Sequence, residues 1–206
     1  MVERADTKGR LTMTSDRVAL HRRIAHAKWE TYAQAPEARK ISYGDEWIYA
    51  PEAVMMCPLF NGGAESRMAD LASEEVLAAM QKFAPDGDML TCEFRMWWKH
   101  MPDFRIVTPF DCVAADWGFA VRDTYAGTLA DGTVLTLHEW DYVWTNEDGH
   151  IIRWDWFVDS RQWFPFLELI GLDPNGLTYE AYTVNFLRNG GIAGHDDSTA
   201  RKGDTR

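Results

Sequence analysis

The stretch Thr133–Asp159 constrains the fold more than any other part of the chain. Its sequence, TVLTLHEWDYVWTNEDGHIIRWDWFVD, predicts a long antiparallel hairpin. The segment Asn146–Gly149 suits a type I turn followed by glycine in the left-handed conformation, which makes a three-residue loop with a bulge. Such a loop places Asn146 opposite His150 and thereby fixes the pairing of the two strands.

The predicted pairing determines which side chains share a face, because side chains alternate between the faces of a strand. It pairs Tyr142 with Trp154, Trp140 with Trp156 and His138 with Val158. One face then carries His138, Trp140, Tyr142, Trp144, Ile152, Trp154, Trp156 and Val158, and the other carries Glu139, Asp141, Arg153 and Asp155. We expect the charged face to be solvated or partnered and the aromatic face to look inward. Buried indole, phenol and imidazole groups need partners, so this face suits a pocket for a flat, partly polar ligand.

Length and composition exclude several classes of protein. The 206 residues fit one domain with extensions, and the net charge of -11 argues against nucleic acid or an anionic membrane as a partner. The sequence has no glycine-rich nucleotide motif and no histidine or cysteine spacing typical of a metal site, so we expect no cofactor and no metal. The three cysteines suggest a reducing compartment, and the N-terminus lacks an apolar signal core. These features predict a cytoplasmic protein without a membrane segment.

The first half of the chain predicts helices around one buried strand. Residues 1–14 are predicted to be a flexible tail, and Ser15 is predicted to cap a helix that runs to Pro36. Pro51 is expected to break an extended approach to a buried strand over residues 53–60, and Ser73 starts a second helix that Pro85 ends. Tyr43 and Asp45 precede the strand and could point into a cavity, although Asp45 also suits a turn. Residues 86–103 could form a short helix or flap in which Trp98 walls a ligand site or only shields the core.

From Phe104 the sequence predicts a four-stranded antiparallel meander, with turns at Asp116–Gly118, Asp131–Gly132 and Asp148–Gly149. A two-residue loop at Asp131–Gly132 would pair Tyr125 with His138 and Asp123 with Trp140. The inward residues would then also include Phe119, Val121, Asp123 and Tyr125. A three-residue loop would turn Arg122 and Thr124 inward instead. We prefer the two-residue loop because its inward set is more apolar.

The C-terminal part follows the last strand as an aromatic-rich extension from residue 160. It predicts two short helices separated by Asp173–Gly176, which could fold over the mouth of the sheet or form a dimer contact. The domain is predicted to span residues 15–188, and residues 189–206 are predicted to be a disordered tail because they are mostly polar.

This order of elements predicts an α+β fold, a cone-shaped curved antiparallel sheet with helices on its concave side. Together with the segments Tyr49–Val54 (YAPEAV) and Glu147–Asp159 (EDGHIIRWDWFVD), it resembles the nuclear transport factor 2-like (cystatin-like) superfamily, and in particular its SnoaL-like branch of polyketide cyclases, dehydratases and isomerases. The resemblance covers about residues 16–160. Its short motifs support the fold more than the reaction.

The resemblance implies an apolar cavity, frequent homodimers through the outer sheet face, and catalysis without metal or cofactor. Members often use a histidine and an aspartate as the proton-transfer pair, and here His138 and Asp123 would occupy such positions. This chain departs from many SnoaL-like proteins where Trp154 and Trp156 replace a histidine and an acidic residue in the final strand, which puts a cyclase assignment in doubt.

The candidate residues follow from these positions. The predicted catalytic residues are His138, Asp123 and Tyr142, because an imidazole can both take and give a proton and a tyrosine could donate to a developing oxyanion. The predicted substrate-binding residues are Trp140, Trp154, Trp156, Tyr125, Phe119, Tyr43, Asp45 and Trp98. Each could instead be a structural residue of the core or the surface.

The function predicted from these residues is a cofactor-independent lyase that moves protons on a hydrophobic aromatic small molecule. Elimination, dehydration or deformylation would suit it, and lignin-derived diaryl compounds would suit the number of tryptophans. The alternatives are a polyketide cyclase or isomerase-like enzyme, a non-catalytic small subunit of a ring-hydroxylating dioxygenase, and an aromatic-binding protein. The expected assembly is a homodimer.

Overall fold

The structure is a computed structural model and describes residues 7–35, 38, 41 and 43–192, with the backbone alone for residues 7–15 and 45. The helices of this part are α1 (Thr7–Ala33), α2 (Glu74–Phe83), α3 (Met89–His100), α4 (Ser160–Leu169) and α5 (Tyr179–Gly190). Short 3-10 turns lie at Tyr43–Asp45, Asn61–Gly63 and Met68–Leu71. Most of the predicted C-terminal tail, residues 193–206, lies outside the described residues.

Seven strands form one sheet in the described part of the chain. They are β1 (Tyr49–Met56), β2 (Ser66–Arg67), β3 (Arg105–Ile106), β4 (Cys112–Ala115), β5 (Gly118–Thr128), β6 (Val134–Thr145) and β7 (Ile151–Val158). The order is β2-β1-β7-β6-β5-β3, and β4 also pairs with β5. The predicted meander of β4 to β7 is confirmed, but the sheet is mixed rather than antiparallel because β1 runs parallel to β7. The α+β class is confirmed.

Helix boundaries agree with the sequence predictions except at two places: α1 starts earlier than predicted, and α5 runs to Gly190, so the predicted disordered tail is wrong for residues 189 and 190. Helix α1 begins at Thr7, eight residues before the predicted cap at Ser15. Ser73 caps α2 as predicted, since its hydroxyl accepts a hydrogen bond from the Val76 backbone. The segment over residues 86–103 contains α3, and the C-terminal extension forms α4 and α5 on either side of the predicted turn.

Strand β1 differs from the prediction because it contains Pro51 instead of starting after it. Its pairing with β7 is irregular between Tyr49 and Val54. Proline has no backbone N–H to donate to a ladder and is therefore tolerated at such irregularities. The strand ends at Met56, four residues before the predicted end at Phe60.

Two local features set the register of β6. The turn after β5 is a three-residue loop, because the backbone N–H of Leu129 donates to Thr133 O at 2.8 Å. The loop after β6 also has three residues, as predicted, with Asn146 N–H donating to His150 O at 2.8 Å and Gly149 at φ 85°. A bulge at Ile152 follows, since Trp144 pairs with Arg153 while Thr145 pairs with Ile151.

The combined effect reverses β6 relative to the prediction. The three-residue loop after β5 and the bulge at Ile152 each shift the pairing of β6 by one residue. The side chains of β5 and β7 therefore keep their predicted faces, while the side chains of β6 exchange faces. The inner face of β6 carries Leu137, Glu139, Asp141 and Val143, all of them buried. The predicted inward position of His138, Trp140, Tyr142 and Trp144 is therefore wrong, because these side chains alternate with the buried set.

Candidate active site

A cavity of about 440 Å³ lies between the inner face of the sheet and helices α1 to α5. This volume falls within the range of small-molecule sites, roughly 300–1,000 Å³. Its aromatic lining comprises Tyr32, Tyr43, Tyr49, Trp97, Phe104, Tyr125, Trp154, Trp156, Trp163, Tyr179, Tyr182 and Phe186. Its charged lining residues are Lys28, Glu93 and Glu139. The site is thus an aromatic chamber with a few ionisable groups in its wall.

The most unusual feature of this wall is a lysine surrounded by carboxylates. Lys28 projects from α1, and its Nζ lies 2.5 Å from Glu139 Oε1, in hydrogen-bond contact with Asp141 and 3.8 Å from Asp123 Oδ2. All four residues are buried, with exposed fractions of 1–4%. Burial of a charge is costly unless it is paired, so these side chains hold one another in place. We name these four residues the Lys28 cluster.

Register explains why the carboxylates meet. Asp123 and Glu139 are paired across β5 and β6, and Asp141 lies two residues further along the same face. Their oxygens lie within 4.8 Å of one another, a spacing at which carboxylates can hold a metal ion. In this structure the Lys28 ammonium is the cation that they surround.

Aromatic donors connect the Lys28 cluster to the cavity. The Tyr125 hydroxyl donates to Glu139 Oε1 at 3.1 Å, and Trp154 Nε1 donates to Asp141 Oδ1 at 2.7 Å. The Lys28 ammonium also lies 5.8 Å from the Trp47 ring and 6.0 Å from the Trp154 ring, within the range of cation–π attraction. These contacts fix the carboxylates, and Glu139 is the one that faces the cavity.

The electrostatics of the Lys28 cluster favour retention of protons. Burial lowers the pKa of Lys28, but the three carboxylates outweigh this effect and hold the pKa well above its usual range. Burial raises the pKa of Asp123 to about 6, although Lys28 favours its charged form. Burial and then the Glu139 charge raise the pKa of Asp141 well above its ordinary value. With one positive charge among three carboxyl groups, Asp123 and Asp141 therefore hold their protons more tightly than in water.

A second carboxyl group lines the cavity from helix α3. Glu93 Oε1 accepts a hydrogen bond of 3.2 Å from the Tyr182 hydroxyl. Burial raises the pKa of Glu93 to about 7, while this hydrogen bond lowers it and Glu139 raises it further. A carboxyl group with such a pKa can both give and take a proton at neutral pH.

Some of the residues predicted from the sequence do meet at this site. Tyr43, Tyr125, Trp154 and Trp156 line the cavity as predicted, and Asp123 is buried in the Lys28 cluster behind Glu139. The inward position of Asp123 is confirmed, although the loop used to derive it is not the two-residue form.

Other predicted residues lie elsewhere. His138 is on the opposite face of the sheet, with Nδ1 3.0 Å from Thr124 Oγ1, and Trp140 and Tyr142 are 39% and 42% exposed on that face. Phe119 belongs to a separate core with Trp47, and Trp98 packs against Phe94 at a ring distance of 5.2 Å. The Asp45 side chain lies outside the described residues.

Sequence reasoning missed Lys28, Glu93 and Glu139. For Lys28 a signal was present, because it lies four residues after Ile24 and four before Tyr32, on the apolar stripe of α1. A lysine on such a stripe must find a buried partner. Glu139 was assigned to a face expected to be solvated or partnered rather than to the cavity, and Glu93 lies on a helix whose inner face was not predicted.

No protein-family model matches the sequence, and no curated protein matches it. Solved structures similar to the chain include a phenazine biosynthesis-related protein of Pseudomonas aeruginosa, with 13% identity over 82% of this chain and 90% of that one and a TM-score of 0.44. A hypothetical protein of Catenulispora acidiphila with a ketosteroid isomerase-like fold has 11% identity over 74% of this chain and 95% of that one, with a TM-score of 0.39. A SnoaL-like family protein of Agrobacterium tumefaciens has 18% identity over 68% and 98%, with a TM-score of 0.34.

Within the described residues, no helix combines the length and apolarity that a membrane span requires. The predicted α+β class with helices around a cavity is confirmed, whereas the predicted antiparallel sheet is mixed because β1 runs parallel to β7. The described part of the chain has an α+β fold, in which a mixed seven-stranded sheet and five helices enclose the cavity.

Proposed function

We propose that the protein is an enzyme that transfers protons within an apolar, aromatic small molecule bound in the cavity. One observation carries this proposal: Glu93 and Glu139 line the same aromatic chamber, and the latter is held by Lys28. Apolar walls strengthen the interaction of such groups with a substrate because they exclude water. Two carboxyl groups in different surroundings suit an acid and base pair.

Each group has a role that follows from its contacts. Lys28 and Tyr125 both donate to Glu139 Oε1, which orients the carboxylate as a base towards the cavity. Glu93, with a pKa of about 7, is protonated in a large fraction of molecules at neutral pH and serves as the acid. Asp123 and Asp141 position Lys28 and act through it.

The reaction class that suits this pair is elimination, with isomerisation as the other outcome of the same proton transfers. For a diarylpropanediol of lignin type with a phenol para to the benzylic carbon, Glu93 would protonate the benzylic hydroxyl, which leaves as water while the phenol releases its proton to solvent, and the ring becomes a quinone methide. Glu139 would then take the proton of the terminal hydroxymethyl group, and the adjacent carbon–carbon bond would break to release formaldehyde. The electrons of that bond return to the ring, and the phenolate takes a proton from solvent to give the hydroxystilbene. These reaction steps convert the diol into water, formaldehyde and a stilbene without an added oxidant or reductant.

A two-substrate assay tests the proposal. If the enzyme is a lyase, incubation with this 1,2-diarylpropane-1,3-diol should release formaldehyde and produce stilbene absorbance. If it is an isomerase, it should instead shift the double bond of an unconjugated aryl enone. Glu93→Gln and Glu139→Gln should each abolish turnover while ligand binding persists. Glu147→Gln, an exposed carboxyl group in the turn after β6, serves as the control and should keep full activity. Turnover unaffected by both cavity substitutions would refute the assignment.

The outer face of the sheet supports a second proposal, that two copies of the chain associate through it. Trp140, Tyr142 and Phe157 are 36–42% exposed there, and Tyr142 contacts Phe157 at a ring distance of 6.0 Å. Adjoining exposed aromatic side chains mark interaction surfaces more often than isolated ones. A scaffold subunit of a dioxygenase would use the same face for a larger partner, and copurification of an iron-containing subunit would identify that case.

A further inference from the structure

Three hydrogen-bond donors in the cavity wall have no partner within the described part of the chain. They are Trp156 Nε1, Trp163 Nε1 and the Tyr179 hydroxyl. Their residues are 7%, 2% and 3% exposed, so bulk water does not satisfy these groups. Buried donors are normally paired with protein, ordered water or a ligand, so three unpaired donors around one cavity favour an acceptor group inside it.

The three donors belong to neighbouring rings that all line the cavity. The Trp156 and Trp163 rings meet edge to face with centroids 5.0 Å apart. Phe60 stacks on Trp156 at 5.4 Å and on Tyr179 at 4.5 Å, which links the third donor to the other two. The rings come from β7, α4 and the start of α5, so the C-terminal extension supplies two of them.

The chemistry of these donors defines the group that they would bind. An indole N–H can only donate, and burial raises the pKa of the Tyr179 hydroxyl, which keeps its proton. The ligand atom must therefore be an acceptor. Lys28 is the cation of the described cavity lining, and three carboxylates already surround it. Because a buried anion needs a counter-charge, the surroundings favour a neutral oxygen over a carboxylate.

We propose that the ligand presents a neutral acceptor oxygen, a carbonyl or an aryl ether, to the wall that carries the Trp156, Trp163 and Tyr179 donors, where a carbonyl oxygen can accept from up to two of them. This inference rests on the proposed function. It places the acceptor oxygen at the aromatic end of the substrate, while the reacting carbon faces Glu93 and Glu139. The substrate class is thereby narrowed from aromatic molecules in general to aryl ketones and aryl ethers.

Binding of a matched ligand pair tests this subsite without any need for turnover. Benzophenone and diphenylmethane have similar shapes and differ in the carbonyl oxygen. Equilibrium dialysis of the wild-type protein at pH 6 measures both dissociation constants. The constant for benzophenone should be roughly tenfold lower than that for diphenylmethane, because the ketone pairs donors that the hydrocarbon leaves unpaired. Diphenylacetate, which adds a negative charge, should bind more weakly than benzophenone.

Two substitutions decide whether the oxygen is held at these donors. Tyr179→Phe removes only the hydroxyl and should reduce the preference for benzophenone, and Trp163→Phe should reduce it as well. Tyr182→Phe is the matched control, because the Tyr182 hydroxyl lines the same cavity but already donates to Glu93. Thermal unfolding of each variant checks that the fold is retained.

The outcomes separate this inference from the proposed function. Equal binding of the two ligands, binding of neither, or a preference that survives Tyr179→Phe and Trp163→Phe would overturn the acceptor subsite. Loss of turnover in Glu93→Gln concerns the reaction and leaves the ligand preference unaffected. A preference lost in the two subsite variants and kept in Tyr182→Phe supports the subsite even if the diol and enone substrates fail.

Discussion

Asp123 and Glu139 face each other across β5 and β6, and the Lys28 ammonium lies 3.8 Å from an oxygen of the first and 2.5 Å from an oxygen of the second. The lysine comes from α1, 111 residues before Glu139 in the chain. This relationship ties the helix to the sheet and also sets the charge of the cavity wall. A change at any of the three positions should therefore affect both stability and chemistry.

Lys28→Met should destabilise the fold by roughly 3–5 kcal/mol at pH 7, because it leaves three buried carboxyl groups without their cation. The difference in free energy of unfolding between wild type and Lys28→Met should be smaller at pH 5, where those carboxyl groups retain protons more easily. Urea unfolding at both pH values measures the effect. Arg23→Met is the control, since its partner Glu46 is at the surface and such pairs contribute roughly 0–1 kcal/mol. A Lys28→Met loss as small as that of Arg23→Met would contradict the assigned role.

Asp123→Asn should change how stability depends on pH. The pKa of Asp123 is about 6 in the folded protein against an ordinary 3.8, so its contribution is full below pH 4 and is lost as the pH rises through 6. Asp123→Asn has no carboxyl group to ionise there. Its free energy of unfolding should therefore rise relative to that of wild type between pH 4 and pH 8, by at most about 3 kcal/mol. Unfolding free energies across this range check the sign. A constant difference would show that the carboxyl group does not titrate as described.

The rate of the proposed reaction should fall as the pH rises through about 7, because Glu93 must carry a proton to act as the acid. Tyr182→Phe removes the hydrogen bond that lowers the pKa of Glu93, so the falling limb should move to higher pH. Profiles of kcat against pH for the two proteins measure this shift. A limb that stays in place would mean that another group controls the rate.

His138→Asn should retain activity, whereas Glu139→Gln should lose it at least a hundredfold, the usual scale of general base catalysis (~10²–10⁴). The two residues are adjacent in sequence but lie on opposite faces of β6. Steady-state kinetics with the same substrate compares them directly. Loss of activity in His138→Asn with retained folding would instead favour the histidine that the sequence pattern suggested.

The outer aromatic face predicts that Trp140→Lys and Tyr142→Lys convert the expected dimer into monomers. Light scattering of the purified proteins determines the mass in solution. Leu77→Lys on α2 is a suitable control, because Leu77 is 51% exposed but lies away from the sheet. A wild-type protein that is itself monomeric would end the homodimer proposal.

The sequence predicted the elements of the second half of the chain well because their signals are local. Alternation and turn residues placed β5, β6 and β7, and Gly132 and Gly149, both at positive φ, marked the positions of the two loops, although the first loop has three residues rather than the two predicted. The start of helix α2 was also predicted correctly, from the capping residue Ser73. The faces of β5 and β7 were also correct, although partly because two register errors compensate.

By itself, then, the sequence determined the α+β class, the meander and an aromatic interior, since these depend on local conformational preference and on burial of apolar area. Only the tertiary structure decided which face of β6 is inside, because one residue in a loop and one bulge at Ile152 move every side chain of that strand to the other face. It also decided the site. Lys28, Glu93 and Glu139 come from α1, α3 and β6, and charged groups of this kind acquire their function only when the fold removes water from around them.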